Sequence, residues 1–155
     1  MWIATQYGFF SIVKNQRKDE PNTMQIRERC RGDLENLQQL YIDKWEATRM
    51  EDIDPEWGKL SSDAPQIIET PQADYGFRMI VHLMQLMFFM SCICQGIDYP
   101  NFKNMIHDNP DQADKLQAYS DIWSVMYDYQ NHYFSSQLQK ENWDLRRDLK
   151  DGEMF

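Results

Sequence analysis

The stretch Met79–Ile97 most limits what this chain can fold into. Fourteen of its 19 residues are apolar, which is nearly the length that spans a bilayer. His82, Gln85 and Gln95 interrupt it, Arg78 and Asp98 bound it, and neither end carries a basic cluster. The flanking signature of a membrane span is therefore missing. A buried strand followed by a buried helix accounts for the same residues, so the expectation is a protein core and no membrane.

The rest of the chain divides by periodicity. Trp2–Lys14 is aromatic and β-branched and reads as one long strand or two short ones. Gly8 inside it marks a bulge or a close backbone approach. Asn15–Thr23, with Pro21-Asn22, reads as a hairpin loop. Met24–Arg31 alternates and predicts a strand paired to the first. Asp33 stands where a helix N-cap would be, and Leu34, Leu37, Leu40 and Tyr41 predict a helix to about Trp45. Residues 46–65 read as an acidic loop, 66–70 as a short strand, Pro71-Gln72 as a turn, and Tyr75–Val81 as a further strand. Leu83–Gln95 predicts a buried helix that Gly96 terminates. A short helix follows to His107, with Asp98 and Asn101 as candidate caps. Asn109-Pro110-Asp111 opens a third helix, with Tyr119, Ile122, Trp123 and Met126 on one face.

This order predicts an α+β fold: a ββαββα-type antiparallel sheet with helices on one face, plus a C-terminal helical extension. A single domain over 1–134 and a charged helix or tail over 135–155 are expected. With 155 residues the chain is long enough for one real core.

Sixteen Lys and Arg face 25 Asp and Glu, a formal charge of −9. That balance argues against general nucleic-acid binding, which needs a basic face. The acidity is uneven: residues 43–74 carry three bases against nine acids, and residues 98–155 carry six against eleven. Three cysteines, an odd number, and an N-terminus without a basic n-region or cleavage site point to the cytoplasm.

Several blocks, in chain order, resemble a family of small, largely uncharacterised bacterial and phage proteins. They are Met1-Trp2-Ile3-Ala4-Thr5 with Gly8-Phe9-Phe10-Ser11-Ile12-Val13, and Ile26-Arg27-Glu28-Arg29-Cys30-Arg31 leading into Asp33-Leu34-Glu35-Asn36-Leu37. Ile67-Ile68-Glu69-Thr70-Pro71, Ala73-Asp74-Tyr75, Ile97–Asn104 and Trp123–Tyr127 continue the series to about residue 130. The resemblance implies a single α/β domain and no named activity. Family members often read Asp-Tyr-Arg-Tyr-Arg where this chain has Asp74-Tyr75-Gly76-Phe77-Arg78, so one cation of any family site is missing here. In a phage setting, sequestering a nucleotide signal of host defence would be one use for such a protein.

The strongest chemical signal is Arg27, Arg29 and Arg31 at i, i+2, i+4. On a strand these three guanidiniums stand about 7 Å apart on one face. Arginine forks suit phosphate or carboxylate, and Arg78 joins them if its strand lies alongside. The expected ligand is a small anionic, phosphorylated molecule such as a nucleotide, held without catalysis. Tyr75 or Phe77 would stack on a base only by turning towards that face. Asp74, Asn101 and Lys103 are placed to orient a ligand or to cap helices. The competing expectation is that the arginines pair with the protein's own carboxylates. Two other functional readings stand beside binding: an acidic module for a basic protein partner, and an enzyme with an unrecognised site using Asp74 and Arg78.

No cofactor is expected. Cys92 and Cys94 are i, i+2 on a helix and read as buried small hydrophobes. Asp128 and His132 read as an exposed ion pair. Asp52–Asp63 only faintly echoes a calcium loop. Met84, Met87 and Met90 beside Phe88 and Phe89 read as core packing, or as the surface for a second copy of the chain.

Overall fold

The computed structural model describes residues 1–48 and 63–152. Five strands form one antiparallel sheet: β1 (Trp2–Thr5), β2 (Gly8–Lys14), β3 (Thr23–Glu28), β4 (Ile67–Glu69) and β5 (Phe77–His82). Their order across the sheet is β1-β2-β3-β5-β4. The helices are α1 (Arg31–Thr48), α2 (Leu83–Gln95), α3 (Phe102–Asp108) and α4 (Leu116–Gly152). This is the α+β arrangement expected from the sequence. The calcium-loop echo up to residue 62, and residues 49–62 of the acidic 43–74 segment, lie outside the described residues.

The apolar stretch splits as its composition demands. Residues 79–82 finish β5, and Leu83–Gln95 form α2. Among the described residues no helix is long and apolar enough to cross a membrane. His82 makes the change of period possible. Its Nδ1 accepts from the Met84 amide, while Gln85 Oε1 accepts from the His82 amide, a reciprocal cap on the first turn.

The sheet has two different faces. Phe10, Ile12, Ile26, Met79 and Val81 point one way and are buried. They meet Leu34, Leu37, Leu40, Tyr41 and Trp45 of α1 and Leu86, Phe88, Phe89, Cys92 and Ile93 of α2. Tyr41 anchors this core, stacked on Trp45 at 5.2 Å and edge-on to Phe88 at 5.5 Å. Each fully buried leucine here contributes roughly 1.5–3 kcal/mol. The methionines do not form this core as expected. Met87 is exposed, Met84 is half-buried and Met90 packs only at its margin, because the aromatic residues on the inner face of α2 already fill the space. Cys94 is likewise exposed and only Cys92 is buried, as a 200° separation on a helix requires.

Asp33 corrects a second expectation. The helix begins two residues earlier, and the Asp33 side chain is buried rather than capping from outside. Its Oδ2 accepts from the Phe9 amide and its Oδ1 from Gln112 Nε2 at 3.0 Å. Gly8 makes this approach possible. It has φ +153°, and a Cβ there would stand 2.3 Å from Asp33 Oδ2.

Two compact units result, Met1–Gln112 and Ala113–Phe155. The first holds the sheet, α1, α2 and α3. Its last segment is tied back to the β1–β2 turn: Gln6 Nε2 donates to the Gly96 carbonyl, and Asn109 Nδ2 donates to the Gln6 carbonyl. Asn101 caps α3 by accepting from the Asn104 amide. The second unit is essentially α4, preceded by one 3₁₀ turn at Ala113–Lys115.

Candidate functional site

The arginine stripe is reshaped by the end of β3. The strand stops at Glu28, and only Arg27 of the three lies on it. Glu28 Oε1 accepts from the amides of Arg29 and Cys30, which turns the chain out of the ladder and into α1. Arg31 therefore enters the first turn of α1, not a third strand position. There it donates to Glu35 at 2.8 Å and also pairs with Glu69. The hydrogen bond that Arg31 donates to Glu35 is the main cause that raises its pKa above the ordinary value. For Arg31, pairing with the protein's own carboxylates is what the structure shows.

Arg27, Arg29 and Arg78 behave differently. Arg27 and Arg78 are direct cross-strand partners in the β3–β5 pair. Like charges in that position destabilise a sheet unless something offsets them. Arg27 Nη2 donates to Ser11 Oγ at 2.8 Å, and Arg78 Nε donates to Thr70 Oγ1 at 3.2 Å. The Arg27 Nε is buried without a hydrogen-bond partner among the described residues. Arg29 is brought back by an aromatic ring. Both its guanidinium carbon and that of Arg27 lie over Tyr75, at 4.4 and 4.5 Å from the centroid. Among the described residues, no carboxylate forms an ion pair with any of these three arginines.

Tyr75 thus turns towards the arginines, but it is 3% exposed. It organises the cations and presents no free ring to a base. Phe77 lies on the opposite face of the sheet, against the core. Asp74 is exposed, and its Oδ1 accepts from the Tyr75 amide, so it shapes the β4–β5 turn. Lys103 is exposed on α3, and no described contact joins it to the arginines.

The register supplies an aromatic that periodicity alone did not single out. Trp2 pairs with Ser11, Ser11 with Arg27, Arg27 with Arg78, and Arg78 with Ile68. These five residues form one row across the face away from α1 and α2. Strands are about 4.8 Å apart, so Trp2 stands roughly 10 Å from Arg27 along that row. Trp2 is 71% exposed, and its ring meets Phe9 edge-on at 6.0 Å. The face therefore offers an exposed indole at one edge and two or three cations near its centre.

Other chemistries find less. Among the described residues no group of three or more His, Cys, Asp or Glu side chains converges to hold a metal. A separate cleft of about 500 Å³ lies beside α3, lined by Gln6, Tyr99 and Asn104 together with Asp98 and Asp108. Its two carboxylates make it a poor place for an anion. Comparison with family models, curated proteins and solved structures finds no match.

Proposed function

We propose that this chain is a non-enzymatic binding protein for a small phosphorylated ligand, a nucleotide, held on the arginine-bearing sheet face. One observation carries the reading: Arg27 and Arg78 face each other across β3 and β5, with Arg29 drawn in by Tyr75, and no described carboxylate neutralises them. A phosphate between the two forks would relieve their repulsion and take up donors such as the buried Arg27 Nε. Trp2, in the same row, is placed for a base to stack on. The site would hold its ligand chemically intact. In a phage setting such a protein would act by sequestration.

Thermal-shift screening against mono- and cyclic nucleotides tests this. Stabilisation by nucleotides is expected, lost in the Arg27→Ala/Arg29→Ala variant. Trp2→Ala should weaken nucleotides while leaving the response to inorganic phosphate. No shift with any phosphorylated compound, or the same shift in the arginine variant, would remove the reading.

A further inference from the structure

Among the described residues the second unit is essentially one long helix, and its apolar side is exposed. Ile122, Trp123, Met126, Tyr127, Tyr133 and Phe134 are each between 46% and 59% exposed. At 3.6 residues per turn they fall on one broad face with Leu138, whereas Asp121, Asp128 and His132 fall on the other. Trp123 and Phe134 are eleven residues apart, as are Tyr127 and Leu138, which is three whole turns and keeps them aligned along the helix. The Trp123 and Tyr127 rings are already stacked at 5.2 Å with 9° between planes. They present a flat surface before any partner arrives.

We infer that this face is the interface with a second copy of the chain, formed by two α4 helices packed side by side. Aromatic side chains bury about 150–250 Å² each. Half of that over the four aromatic positions is roughly 400 Å² per copy, and Ile122, Met126 and Leu138 add apolar area towards the ~800 Å² per partner of a standard interface. The charge pattern selects an identical copy. A chain of −9 repels itself over most of its surface, but this stripe carries no charged side chain from Ile122 to Leu138. A basic partner would need carboxylates on the contact face, and these lie on the far side. The order of residues is also self-complementary. Run antiparallel about a point between Gln130 and Asn131, Tyr127 of one copy meets Phe134 of the other, and Trp123 meets Leu138. Pairing also supplies the packing that a solitary helix in water lacks.

Sedimentation equilibrium of the full chain over a concentration range tests this. The expected mass is twice the 18.7 kDa of one chain, falling to one chain in Trp123→Glu/Phe134→Glu. The polar-face control Ser124→Glu/Ser135→Glu should stay dimeric. If the glutamate variant does not fold, Tyr127→Ala/Phe134→Ala should still raise the dimer dissociation constant at least tenfold. A wild-type mass of one chain at every concentration overturns the inference. So does a dimer unaffected by either stripe variant, or one lost equally in the polar-face control.

Discussion

At the scale of single residues, two positions control how the sheet edge is built. Gly8 is required by both its positive φ and the Asp33 carboxylate that fills its Cβ space. Gly8→Ala must strain the backbone and displace a buried acid that receives the Phe9 amide and the Gln112 side chain. A loss of about 2 kcal/mol or more is expected, seen as a lower denaturation midpoint at unchanged slope. A variant as stable as the wild type would contradict this account of Gly8. Tyr75 is the second such position. It gathers Arg27 and Arg29 by cation–π contact, and in the proposed site Trp2 is the aromatic placed to meet a ligand.

At the scale of elements, α2 is the clearest test of which faces are buried. Its inner face carries Leu86, Phe88, Phe89, Cys92 and Ile93, and its outer face carries Met87 and Cys94. Burial pushes the Cys92 thiol up from its ordinary value, with Lys44 opposing weakly, so less thiolate is present at neutral pH. Labelling with a disulfide reagent should give two fast thiols, Cys30 and Cys94, and one slow one that disappears in Cys92→Ala. Three equally fast thiols would show that α2 does not sit on the sheet as described. Much of this layer was legible beforehand. The break of period at His82 separated β5 from α2, and the 3/4 spacing of leucines marked α1. Alternation also ran through Arg29 and Arg31, and there it misled. The local pattern could not register that the Glu28 carboxylate would capture two amides and end the strand. The Trp2–Arg27 row was equally hidden, because it depends on how β1 and β2 pair across a turn and on which side each residue then faces.

At the scale of the whole molecule, charge and burial pull in different directions. Of the four arginines around the site, Arg31 is neutralised by Glu35 and Glu69, whereas Arg27, Arg29 and Arg78 form no ion pair among the described residues. A protein of −9 thus keeps a compact cationic centre that suits a small anion better than a polyanion. Burial is also the leading cause that raises the hydroxyls of Tyr41 and Tyr99 above the usual tyrosine value of 10.0. The same is true of the Cys92 thiol relative to 9.0. Folding therefore holds these protons more tightly than the unfolded chain does. The stability this gives is complete below the ordinary values and declines as pH rises above them towards the raised ones. Melting temperatures should fall above about pH 9 to 10, and Tyr41→Phe should fall less steeply. A slope unchanged in that variant would mean that Tyr41 does not carry the effect.

The central claim is that the Arg27, Arg29 and Arg78 face holds a phosphorylated nucleoside. Isothermal titration of the full chain with a panel of nucleoside mono- and cyclic phosphates measures this directly, with the parent nucleosides and inorganic phosphate as controls. The account predicts a saturable isotherm for at least one nucleotide, weakened by salt and abolished in a folded Arg27→Ala/Arg29→Ala variant. Heats no different from dilution across the panel, or an isotherm identical in the arginine variant, would contradict it.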